Sequence, residues 1–226
     1  MIVYGTDSGE RRWVLLYLFV IAVVISPGVT WLVKVGLAQT GMTLPPIIES
    51  PSILFIYGTL AVAFEHFLWR LPLLRKLGVV KLPNLNGTWT GALRSKYDEF
   101  AVEYPVTVTI QQEWLRIRVV FRTAQSSSHS TMAGVFVDDP QGMVLSYEYL
   151  SEPRPDADEA MMMHRGTTRL VINEEGGAIT LDGGYYTSQP RMNYGTITLQ
   201  RGPRPMHSGP ELVAPTPIGV DASRSA

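Results

Sequence analysis

From Trp13 to Val33 (WVLLYLFVIAVVISPGVTWLV) the chain runs 21 residues without a charge. As a helix this crosses a hydrocarbon core of roughly 30 Å. Ser26-Pro27-Gly28 interrupts the run, which membrane helices tolerate at a kink. A second apolar run, SILFIYGTLAVAFEHFLW, holds a single acid, Glu65. The pattern predicts two transmembrane helices, at about 13–33 and 52–70, with Trp13, Trp31 and Trp69 near their ends as interfacial anchors. The competing reading of the first run is a cleavable signal peptide, with Arg11-Arg12 as its charged region and Gly36-Leu37-Ala38 as a small-x-small site. The length of the first run and the presence of a second favour two spans.

Flanking cations set the expected orientation. Arg11 and Arg12 precede the first span, Arg70, Arg75, Lys76 and Lys81 follow the second, and the connection holds only Lys34. Positive charges stay on the cytosolic side, so both termini are expected in the cytosol, with residues 34–51 as an outer hairpin. Glu65 and His66 are read as lying at the cytosolic end of the second span, within reach of headgroups and water; a role inside the membrane is the alternative.

After Lys81 the period changes to two, the mark of strands. The expected strands are Gly87–Tyr97, Tyr104–Gln111, Trp114–Thr123, Ser128–Val137, Met143–Leu150, Met163–Ile172, Ala178–Thr187 and Tyr194–Arg201. The third is clearest: Leu115, Ile117, Val119 and Phe121 face one way, Arg116, Arg118 and Arg122 the other. Turn sequences such as Asp138–Gly142 and Asn173–Gly177 separate the strands. Eight short antiparallel strands suit an up-and-down β-barrel, which removes sheet edges by closure; a β-sandwich is the runner-up. The predicted organisation is a membrane anchor over 1–80, a barrel over 81–201 and a disordered tail over 202–226. That tail is rich in Pro, Gly, Ser and Ala and has no periodicity. Ser151–Ala160, acidic and proline-bearing, reads as an exposed loop.

Composition narrows the chemistry. There is no cysteine, which excludes disulfides, thiolate metal sites and cysteine nucleophiles. From Lys81 onward 13 Lys/Arg face 16 Asp/Glu, a net charge of −3 that argues against DNA or RNA binding, since a polyanion is held by cationic surface. The histidines form no pair at metal-ligand spacing, and there is no G-x-S-x-G elbow and no glycine-rich phosphate loop. No catalytic residue, metal or cofactor is expected, and a ligand-binding role is favoured over an enzyme.

Pointing the bulky apolar faces inward brings Ser95, Thr123, Tyr149, His164, Tyr185 and Thr187 towards one rim of the barrel. The floor beneath them is apolar: Trp89, Leu93, Ile117, Leu170 and Leu181. Stacking faces with scattered hydrogen-bonding groups fit a nucleobase-bearing ligand; tyrosines and a histidine whose tips merely reach water from a small core are the equally weighted alternative. An apolar ligand is a further possibility, disfavoured by the inward tyrosines and histidine. Arg191, in the last hairpin, can reach over the mouth. In LDGGYYTSQPRMNYGTITL (181–199), Gly183 and Gly184 are read as leaving room for a ligand, with Tyr185 inward and Tyr186 outward.

Two spans followed by NGTWTG (86–91), HRG (164–166) and LDGGYY with GTI (195–197) resemble the two-transmembrane, β-strand-rich effectors of bacterial CBASS antiphage defence, STING-like receptors associated with a CD-NTase. The resemblance implies a cytosolic barrel that binds a cyclic di- or trinucleotide made by the linked CD-NTase. It also implies homo-oligomerisation on activation and disruption of the bacterial inner membrane through contacts with its lipids. It implies His164, Tyr185 and Thr187 as base and ribose contacts and Arg191 as a phosphate contact. In that family an arginine commonly follows the aromatic pair, whereas here Ser188-Gln189-Pro190 intervenes.

Overall fold

The computed structural model describes residues 1–40, 53–153, 162–189 and 191–202. A two-residue strand, β1 (Ile2–Val3), leads into the long helix α1 (Glu10–Thr40), with Pro27 inside it. Helix α2 (Ile53–His66), a 3-10 turn (Leu68–Arg70) and the short helix α3 (Pro72–Lys76) follow. The barrel strands are β2 (Gly87–Ser95), β3 (Tyr104–Gln112), β4 (Arg116–Arg122), β5 (Ser126–Phe136), β6 (Val144–Pro153), β7 (His164–Glu175), β8 (Ala178–Thr187) and β9 (Tyr194–Arg201).

Every neighbouring pair among these eight is antiparallel, in the order β4-β3-β2-β9-β8-β7-β6-β5, and β5 returns to β4. The up-and-down barrel is therefore closed, and the sandwich alternative is set aside. The two-residue alternation carries through as read: Ile117 and Val119 are buried while Arg116, Arg118 and Arg122 face out. Leu145, Leu170, Leu181 and Leu199 meet inside, and Trp89 is fully buried with its indole N–H donating to the Leu85 carbonyl at 2.9 Å.

The β4–β5 seam is incomplete. The two strands pair only from Val120–Arg122 to Ser127–His129. Below that they part, and the N-terminal segment fills the gap: Ile2 and Val3 pair with Ile117 and Arg116, and the Gly5 N–H and C=O bond the backbone of Ala133 and Val135 at 3.1 and 3.0 Å. A stretch of so few residues has no readable period, which is why hydropathy alone does not announce it. Tyr4, 1% exposed, plugs the floor, and the Gln112 amide donates to its hydroxyl while accepting from Leu85 N–H.

The helices dock at this floor end. Arg11 donates to the Tyr4 and Trp114 carbonyls; Trp114 N–H donates to the Glu65 carbonyl; Arg70 donates to the Gln112 carbonyl at 2.9 Å. Glu65 lies 3.9 Å from Arg116, and His66 lies 3.2 Å from Glu113. Both ionisable residues thus contact the barrel.

Helix boundaries differ from the hydropathy reading. Helix α1 continues through Thr40, so the expected outer hairpin over 34–51 does not begin at Lys34; residues 41–51 of it lie outside the described residues. Among the described residues α1 is the one helix long and apolar enough to cross a membrane. Its Leu16, Phe19, Val20 and Val24 stand exposed, as lipid-facing positions would. Helix α2 has 14 residues, about 21 Å at 1.5 Å per residue, and packs on α1 through Tyr57 against Phe19. The tail reading over 202–226 falls beyond the described residues from 203 onward.

Candidate functional site

At the end of the barrel away from the helices lies a cavity of about 520 Å³, within the range typical of small-molecule sites. Antiparallel alternation explains its position. Inward positions near the floor carry Trp, Leu and Ile, whereas several strands end towards the mouth on a small or polar inward residue. Ser95 closes β2, Ser151 lies near the end of β6, His164 opens β7 and Thr187 ends β8.

All seven residues singled out from the sequence, Ser95, Thr123, Tyr149, His164, Tyr185, Thr187 and Arg191, line this one cavity. Ser95, Tyr149 and Tyr185 are buried, and Tyr149 meets His164 edge to face at 6.3 Å. The His164 Nδ1 sits 2.9 Å from the Met162 carbonyl, which holds the ring at the rim. Thr187 bonds across the β8–β9 turn to the Asn193 carbonyl. Thr123 is used in a turn, its hydroxyl accepting from the Ser126 N–H at 3.0 Å, so it shapes the rim while lining it.

Sequence reasoning missed several lining residues. Alternation puts Tyr147 and Thr168 on inward faces below the rim residues singled out, and both are buried in the cavity wall. Ser126 and Ser128 belong to a strand that starts two residues earlier than its apolar pattern, and the alternation of Ser126, Ser128 and Ser130 was the available signal. Ser151 was assigned to an exposed loop, but β6 carries it on, 3% exposed, into the wall; residues 154–161 of that loop lie outside the described residues. Asn193 gave no signal, being an isolated polar residue in a turn.

Gly183 and Gly184 do not line the cavity. Gly183 sits on the inward face opposite Leu170, and a Cβ there would fall 2.0 Å from the Arg169 carbonyl oxygen. Its function is close approach of two coiled strands, not space for a ligand. Tyr186 faces out as expected, 65% exposed and stacked on Tyr194.

Among the described lining residues twelve carry a hydroxyl, none is a carboxylate, and Arg191 is the only Lys or Arg. Burial pushes the Tyr147 phenol up to about 12 and raises those of Tyr149 and Tyr185. These groups are therefore neutral in the physiological range and can both donate and accept. Above the ordinary tyrosine value of 10.0 the unfolded chain ionises these phenols while the folded barrel does not. Stability is therefore full below pH 10 and falls as pH rises towards 12, by up to about 1.4 kcal/mol per pH unit for the Tyr147 phenol, with Tyr149 and Tyr185 acting in the same direction. Denaturant titrations at pH 9, 10 and 11 should show this slope, and Tyr147→Phe should lessen it; an unchanged slope in that variant would reject the assignment.

Comparison with known proteins places this geometry in a family. Residues 80–201, more than half of the chain, match the model of the Cap15 cyclic dinucleotide receptor domain. A CD-NTase-associated protein 15 from Staphylococcus schleiferi is 27% identical over 128 residues, covering 57% of this chain and 66% of that protein. One of the same name from Yersinia aleksiciae is 30% identical over 148 residues, 65% of this chain and 67% of that protein. The alignments thus span about two thirds of these relatives' lengths. The chain belongs to the Cap15 cyclic dinucleotide receptor domain family, the CBASS effector group that its motifs resemble.

Proposed function

We propose that this chain is a membrane-anchored CBASS effector whose barrel binds a cyclic oligonucleotide, a dinucleotide in preference to a trinucleotide, made by an associated CD-NTase. The observation that carries the reading is the cavity: aromatic faces, neutral hydroxyls and one arginine gathered at the open end of a barrel in this family. Tyr149 and Tyr185 would stack on the bases, His164 and Thr187 would contact base or ribose, and Arg191 would meet a phosphate. Ser95 and Thr123 complete the wall. The hydroxyl-rich lining counts against an apolar ligand, and nothing in the reading calls for a catalytic step.

The same reading covers the membrane part. Helix α2, within the apolar run over 52–70, would form the second span beside α1, placing both termini and the barrel in the cytosol at the inner membrane. Ligand binding would promote homo-oligomerisation, and clustered spans would disrupt the bilayer. Transmission has a physical route. The mouth half of the β4–β5 seam, with Phe121, Thr123, Ser126 and Ser128, lines the cavity, and the N-terminal segment that fills the floor half continues into α1.

The test is a thermal titration of the full chain in detergent with cyclic di- and trinucleotides. Binding to the folded state raises Tm with ligand concentration. Tyr185→Ala should weaken binding by about 1–3 kcal/mol, the worth of a base–aromatic stack, and His164→Ala should also weaken it. Arg118→Ala on the outer face should not. Absence of any shift with every cyclic nucleotide tried would reject the receptor reading.

A further inference from the structure

The structure assigns Asn193 as the residue that reads a base in the cavity, selecting adenine over guanine, with Ser95 as the positioning residue behind it; the assignment rests on the receptor reading above. Asn193 is held from two sides. Its backbone N–H donates to the Thr187 hydroxyl at 2.7 Å, and its carbonyl accepts from the Thr187 N–H at 2.7 Å and from the hydroxyl at 3.1 Å. Its side-chain Nδ2 donates to Ser95 Oγ at 2.7 Å.

The surroundings of Ser95 set which way the amide turns. Ser95 Oγ also accepts from the Tyr97 N–H at 3.2 Å. A hydroxyl has one proton and two lone pairs. With one lone pair taken by the Tyr97 N–H, Ser95 Oγ accepts from the nitrogen end of the amide with the other. The carboxamide keeps its Oδ1 acceptor and one N–H donor side by side.

An adjacent acceptor and donor is the complement of adenine, whose N6 amine donates beside a ring-nitrogen acceptor; asparagine reads adenine bidentately in this way. Guanine presents two acceptors, N7 and O6, on the corresponding edge, which the amide oxygen cannot meet, and its N1–H and N2–H pair is best met by paired acceptors. None of the described lining residues is a carboxylate, and a buried donor without a partner is costly. The tyrosine faces stack on either base and do not discriminate, so discrimination falls to the polar edge.

The experiment compares cyclic di-AMP with cyclic di-GMP on the full chain in detergent, reading apparent affinities from Tm shifts. Cyclic di-AMP should bind about five- to 150-fold more tightly, since one bidentate pair is worth about 1–3 kcal/mol of discrimination. Asn193→Asp, which keeps the shape but offers paired acceptors, should reduce or invert that ratio. Asn193→Ala should reduce it without adding charge. Ser95→Ala should lower the ratio further than it lowers overall binding, a split that loss of packing alone would not produce. A wild-type preference for cyclic di-GMP, equal affinities, or a ratio unmoved by both Asn193 variants overturns the assignment. No shift with any cyclic dinucleotide overturns the receptor reading instead.

Discussion

Gly183→Ala is expected to prevent the barrel from closing, lowering stability by about 4 kcal/mol or more, in the range reserved for strain that the fold cannot relax. The added methyl would stand 2.0 Å from the Arg169 carbonyl oxygen and 3.0 Å from the Leu170 Cα. Both are backbone atoms of the paired strand β7, so no side-chain rotation relieves the clash. Strands β7 and β8 would have to separate at Leu170–Gly183, in the middle of their ladder. Gly184 is a matched control. One residue on, facing out, its added Cβ would meet nothing nearer than 3.4 Å, so Gly184→Ala should cost under about 1 kcal/mol. Thermal unfolding of the two variants, followed by circular dichroism at the β-sheet band, checks the contrast. Equal stability of the two would refute the close-approach explanation.

Trp114→Ala should separate ligand binding from its consequence. Trp114 occupies the β3–β4 turn, 3% exposed. Its ring meets Phe64 of α2 edge to face at 5.1 Å and Trp69 at 6.1 Å. Its backbone N–H donates to Glu65 and its carbonyl accepts from Arg11 of α1. One residue therefore ties the barrel floor to both long helices. Truncating a buried tryptophan costs about 3–5 kcal/mol, and here the loss falls largely on the docking of helices to barrel, at the opposite end from the cavity. In vesicles containing the full chain, cyclic dinucleotide should still raise Tm, while ligand-triggered dye release should drop to background. Dye release at the wild-type level would remove this turn from the transmission route.

Much of the fold was legible because alternation is a local property. In a strand buried on one face, each side chain's direction follows from its neighbour's, so Ile117 and Val119 against Arg116 and Arg118 declared inside and outside without knowledge of any partner strand. The same alternation carried Ser95, Tyr149, His164, Tyr185 and Thr187 to the rim, since eight antiparallel strands place alternate ends together. Where residues lacked an apolar neighbour to fix the phase, the reading failed. Ser151 sits beside an acidic loop, and Ser126 opens a strand before its first bulky residue.

By itself the sequence determined the class of the molecule: an apolar N-terminal run, eight strands in order, their inward faces, and a neutral polar mouth above an apolar floor. Each of these is encoded within a window of a few residues. Tertiary structure alone decided that Ile2–Gly5 completes the β4–β5 seam, that Glu65 and His66 meet Arg116 and Glu113, and that Asn193 is turned by a serine 98 residues away in the chain. Those contacts join segments whose separation along the chain is unrelated to any period, and only closure of the barrel brings them within hydrogen-bonding distance.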